Sequence, residues 1–104
     1  MSETITFTTC KDRKQATAIA RALVEEKLAA CVNVVPGLLS IYRWEGKVEK
    51  AREVLLVIKS RKALTKRLIA RVRALHSYEV PEVVTVPIAD GNPAYLRWVR
   101  ASTR

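Results

Sequence analysis

A chain of 104 residues, 49% apolar and 28% charged, is long enough for one packed core without disulfides or structural metal, and too apolar for a disordered tail. Its longest apolar runs are five residues, such as 54–58, far short of the ~20 that a membrane-spanning helix needs. Two cysteines are too few for a secreted disulfide framework, and the opening Met-Ser-Glu-Thr runs into a strand pattern with no signal peptide, so a reducing cytoplasm is expected. The 19 basic residues outnumber the 10 acidic ones, for a net charge of +9. They are scattered along most of the chain, which reads as a solvated, self-repelling surface.

Residues 4–10 alternate, with Ile5 and Phe7 to one side and Thr4, Thr6 and Thr8 to the other, a strand with one buried and one partly polar face. Asp12 with Gln15 three residues on fits a capping box. Ala16, Ile19, Ala20, Leu23, Val24 and Leu28 then form the apolar stripe of a helix of about four turns. From Cys31 to Ser60 two arms rich in Val, Ile, Leu, Tyr and Trp flank Glu45-Gly46, the pattern of a β-hairpin with a two-residue turn. Each arm has about thirteen residues, so the ribbon reaches roughly 43 Å, against a radius of gyration near 13 Å for a compact chain of this size. Its tip, around Tyr42, Arg43 and Trp44, must lie against another subunit or leave a sticky edge.

Pro36-Gly37 predicts a bulge or bend on an edge arm. Ser60 is placed to cap a second helix, with Leu64, Leu68, Val72 and Leu75 as its inner stripe and its end near His76-Ser77. A last strand covers 82–88. Asn92 and Pro93 then provide the cap and first position of a short C-terminal helix bearing Tyr95, Leu96, Trp98 and Val99. This order predicts a single α+β domain over 1–104. Its simplest topology is a split βαβ sandwich: a four-stranded antiparallel sheet with two helices on one face.

Chemistry-bearing residues are sparse. Three glycines cannot build a dinucleotide or phosphate loop, and no serine sits in a nucleophile elbow, so no enzyme activity is expected. Cys10 closes the first strand and Cys31 opens the second, at opposite edges of the expected sheet, so they do not pair. His76, the one histidine, falls at the same end as Cys10; it reads either as an exposed histidine favoured by a helix C-terminus or as a metal or anion ligand grouped with Cys10, Tyr78, Glu79 or Glu82. Thiolate and imidazole suit copper or zinc, but one chain has too few ligands for a closed site. Tyr42, Trp44 and Trp98 suit interface packing or a pocket. Glu53 and Lys59 are either edge charges facing water or a ligand-facing pair. Residues 59–73 hold seven basic residues and no acid; without interleaved aromatics this is a solvated helix face, and nucleic acid is not an expected partner.

Glu26-Lys27-Leu28-Ala29-Ala30-Cys31-Val32-Asn33, Pro36-Gly37, Ser40-Ile41-Tyr42-Arg43-Trp44-Glu45-Gly46-Lys47, His76-Ser77-Tyr78-Glu79-Val80-Pro81-Glu82 and Gly91-Asn92-Pro93-Ala94-Tyr95-Leu96-Arg97-Trp98 together resemble the CutA family of divalent-cation-tolerance proteins. The resemblance spans nearly the whole chain. It implies a ferredoxin-like fold, a cytoplasmic homotrimer built by the long hairpins, a shape like the PII signal-transduction proteins, and a role in tolerance of copper and other divalent ions. It also implies a cysteine late in the first strand and a His-His pair at metal-linked positions. Here Thr8 and Leu75 occupy those positions beside His76, with Cys10 on the same strand face as Thr8. Copper (Cu2+) or another divalent ion, held weakly between subunits, is the expected ligand. The competing reading is a PII-like regulatory trimer binding a small anion or a protein partner in an intersubunit cleft lined by Tyr42, Trp44, Glu53, Lys59 and Tyr78.

Overall fold

The computed structural model describes residues 2–104. Its elements are β1 (Glu3–Cys10), α1 (Arg13–Glu25), β2 (Cys31–Trp44), β3 (Lys47–Arg61), a 3-10 turn (Lys62–Leu64), α2 (Thr65–Leu75), β4 (Val83–Pro87) and α3 (Pro93–Ala101). The strands form one antiparallel sheet in the order β2-β3-β1-β4. That is the split βαβ order, an α+β ferredoxin-like fold.

Directly paired residues share a face, so the register assigns both sides of the sheet. Thr6 pairs with Ile58 and Thr85, Thr8 with Leu56 and Val83, and Cys10 with Val54. All of these point toward α1 and α2, where Ala16, Ile19, Leu23, Leu68 and Val72 complete the core. The buried face of β1 is therefore its threonine face, the reverse of what its apolar residues suggest. Thr6 Oγ1 shares a 2.7 Å hydrogen bond with Thr85 Oγ1, whereas Thr4 Oγ1 and Thr8 Oγ1 find no partner among the described residues. Ile5 and Phe7 face the other side, with Val57, Val84 and Val86 as their partners. That second layer is only partly covered: Val84 is 49% and Val86 43% exposed.

Local signals explain the helix ends. Asp12 accepts from the Gln15 amide at 2.9 Å and Asn92 from the Ala94 amide at 3.0 Å, each satisfying an amide the first turn cannot. Helix α1 stops in a Schellman arrangement: the Leu28 amide donates to the Leu23 carbonyl and the Lys27 amide to that of Val24, with Lys27 at φ 62°. Val24 stays out of the buried stripe and is exposed. Ser60 does not cap α2. It belongs to β3, and its buried hydroxyl donates to the Leu28 carbonyl at 2.6 Å; the extra strand residues delay the helix to Thr65, which starts without a side-chain cap. Helix α3 lies at the Glu3–Arg61 end of β1 and β3, fixed by Arg100 on the buried Glu3 carboxylate at 2.6 Å and by Arg61 donating to the Thr103 carbonyl at 3.0 Å.

The hairpin turns at Glu45 (φ 49°) and Gly46 (φ 80°), the paired positive dihedrals that a two-residue turn between twisted strands requires. A register shift separates Val35 from Leu38 at Pro36-Gly37, on edge strand β2. The longest dimension is 44 Å against a radius of gyration of 14.1 Å, so the ribbon does outgrow its sheet. Beyond it Leu39, Ile41 and Val48 are largely exposed.

Candidate functional site

Strand β1 ends at the Cys10–Val54 pair. Glu53 is therefore the first β3 residue with β2 on one side, through Leu38, and no β1 partner on the other. The segment after α2 fills the vacated place. His76 ends the helix with extended backbone, which turns 76–82 back toward the ribbon. Between ribbon and segment lies a cleft of about 570 Å³, lined by Thr9, Ser40, Ile41, Tyr42, Trp44, Glu53, Tyr78, Glu79, Val80 and Glu82.

His76 and Tyr78 anchor the returning segment to β1 and β3. His76 Nδ1 accepts the Tyr78 backbone N–H at 3.1 Å. An accepting Nδ1 carries no proton, so Nε2 carries it and donates to the Thr9 carbonyl at 2.7 Å. The rings of His76 and Tyr78 lie 4.7 Å apart. The Tyr78 hydroxyl in turn donates to Glu53 Oε2 at 2.7 Å. Burial first, then this carboxylate, push the Tyr78 hydroxyl well above the usual phenol range. Glu53 itself is only 9% exposed, and among the described residues it has no ion pair.

The metal candidates do not meet as a ligand set. Cys10 is fully buried and faces the helices through Val54. Burial, reinforced by the charges of Glu53 and Asp12, pushes its thiol up to about 11, away from the thiolate form that binds metal. His76 has both ring nitrogens engaged. Glu82 lines the cleft without converging on either, and no group of three His, Cys, Asp or Glu among the described residues is placed to hold one ion. Within one chain, these residues do not fit a resident copper or zinc site.

The small-ligand candidates divide. Tyr42, Trp44, Glu53 and Tyr78 share the cleft. Lys59 does not: it pairs with Cys31, hydrogen-bonds Asn33, and lies six β3 residues, or roughly 20 Å, from Glu53. Without it no basic residue among the described ones lines the cleft, which removes the attraction an anion would need. Trp98 sits elsewhere too, 5.6 Å from Tyr95 on α3. The role of Thr9, whose carbonyl receives His76, is invisible in the sequence, because a backbone acceptor carries no residue-type signal.

The family model for the CutA1 divalent ion tolerance protein matches residues 4–102. The chain belongs to the CutA family. A divalent-cation tolerance protein CutA of Thermus thermophilus is 52% identical over 101 residues, covering 97% of this chain and 98% of that one. Its solved structure superposes with a TM-score of 0.96 at 51% identity, covering 98% and 99% of the two chains. A chloroplastic protein CutA of Arabidopsis thaliana is 47% identical over 96% of this chain, which spans only 55% of that longer relative. A structure described as a periplasmic divalent cation tolerance protein CutA, from Archaeoglobus fulgidus, superposes with a TM-score of 0.93 at 35% identity, covering 96% of this chain and 97% of that one. CutA relatives thus occur in more than one compartment. No helix among the described residues is long and apolar enough to cross a membrane.

Proposed function

We propose that this protein acts in tolerance of divalent cations as a trimer of identical chains, each ribbon lying across a neighbour. The observation that carries this reading is the partly uncovered apolar layer of the sheet, Ile5, Phe7, Val57, Val84 and Val86; the protruding ribbon adds the exposed Leu39, Ile41 and Val48 on its opposite face. Apolar surface of that extent marks an interaction face, and a second copy carries the complementary ribbon. The number three follows the family resemblance.

The cation, Cu2+ or another divalent ion, is a passing ligand on this reading and not a resident cofactor. Its donors come from more than one copy, because His76 is already committed within its own chain. Binding through the His76 ring would break two hydrogen bonds, each worth about 1 kcal/mol net and more if a buried partner is left unpaired. Two unpaired thiols, Cys10 and Cys31, suit a reducing cytoplasm. No reaction is assigned.

Light scattering is expected to give about 35 kDa, three times the 11.7 kDa chain; a monomer mass overturns the assembly. Calorimetric titration of the assembled protein with Cu2+, Zn2+ and Ni2+ is expected to show weak saturable heat. Its absence for all three removes direct metal binding.

A further inference from the structure

The cleft below the ribbon tip contains an unusual charge. Glu53 is nine-tenths buried, its Oε2 accepts only the neutral Tyr78 hydroxyl, and among the described residues no cation pairs with it. A carboxylate removed from water is costly unless a positive partner or several donors compensate it. The chain has cations to spare, at +9, yet none lines this cleft, whereas Glu79 and Glu82 do. The site is thus a negative enclave on a positive molecule.

Tyr42, Trp44 and Tyr78 give it aromatic walls, beside the polar Thr9 and Ser40 and the aliphatic Ile41 and Val80. Aromatic faces beside a carboxylate attract a soft, weakly hydrated cation through the ring quadrupole. A point ion is a poorer fit, because the carboxylates do not converge as metal ligands, and about 570 Å³ matches the usual size of a small-molecule cleft.

We propose that this cleft binds an organic cation, with an alkylammonium head on Glu53 and an apolar body against Trp44 and Tyr42. This goes beyond a role in divalent-cation tolerance and uses neither Cys10 nor His76. The net positive charge repels cations in general, so saturable binding of one reports a local site and not a diffuse atmosphere.

The test is calorimetric titration of the full-length protein with 1,4-diaminobutane at low salt, after light scattering on the same sample. Light scattering reads the proposed assembly; the titration reads the cleft. Expected is saturable binding near one ligand per chain, weakened about tenfold or more by Glu53→Gln and by Trp44→Leu and unchanged by Lys59→Ala. Glu53→Gln keeps an acceptor for Tyr78 and removes only the charge, so a folding defect is not expected; circular dichroism and mass confirm that each variant is intact. Three outcomes overturn the proposal: no saturable heat up to ~10 mM ligand, wild-type affinity in both cleft variants, or tighter binding of an anion such as ATP at the same residues. A neighbouring copy that fills the cleft in the assembled protein gives the first of these.

Discussion

Substituting His76 by alanine separates a structural staple from a metal ligand. The ring donates to the Thr9 carbonyl and accepts from the Tyr78 amide, joining the end of β1 to the segment that carries Tyr78 onto Glu53. Each bond is worth about 1 kcal/mol net, and because the site is half-buried, water replaces part of what is lost. The expected loss is therefore about 1–2 kcal/mol of folding stability, with a smaller share from the ring contact with Tyr78. Guanidinium unfolding at fixed chain concentration should show a lower midpoint with an unchanged slope. Copper titrations should keep their wild-type heats. Unchanged stability together with a lost copper signal would refute the reasoning, because the imidazole would then serve the ion and not the fold.

Acid sensitivity has an assignable source. Arg100 holds the Glu3 carboxyl, and Arg71 the Glu26 carboxyl, below the ordinary value of 4.5. A carboxyl lowered on folding contributes stability that is complete above its unfolded value and is lost as pH falls through the folded one. Unfolding midpoints should thus be level from neutral pH to about 5 and fall below it, less steeply in Arg100→Ala; an equal slope in that variant removes Glu3 as the source. Cys10, buried with its thiol near 11, should resist iodoacetamide at pH 8 in the native protein and react once unfolded, read by peptide mass spectrometry; rapid native labelling contradicts its placement. Lys27 holds φ 62° at the end of α1, a conformation costing roughly 1 kcal/mol for a residue with a Cβ. Lys27→Gly should accordingly raise stability by about 0.5–1 kcal/mol, and a lower unfolding midpoint would show that the lysine side chain matters more than its backbone.

The sequence alone determined most of the architecture, because its elements are written in short-range chemistry. Period-two and period-3.6 patterns located strands and helices, Asp12 and Asn92 marked helix starts, Glu45-Gly46 marked the turn, and the ribbon's length set the 44 Å dimension. The misreadings came where tertiary context outweighed local preference. Ser60 looks like a cap, but the Leu28 carbonyl claims its hydroxyl and strand pairing with Thr4 holds it in β3. The threonines of β1 look like a solvent face, but two apolar layers flank one sheet, and only the helix positions decide which is sealed. The site depended on tertiary structure most of all. Tyr42, Trp44, Glu53 and Tyr78 were legible as candidates, but register placed Lys59 far along the strand and left Glu53 without a cation among the described residues. His76 looks like a ligand by residue type; the Thr9 carbonyl and Tyr78 amide, which no side-chain pattern reports, occupy both of its nitrogens.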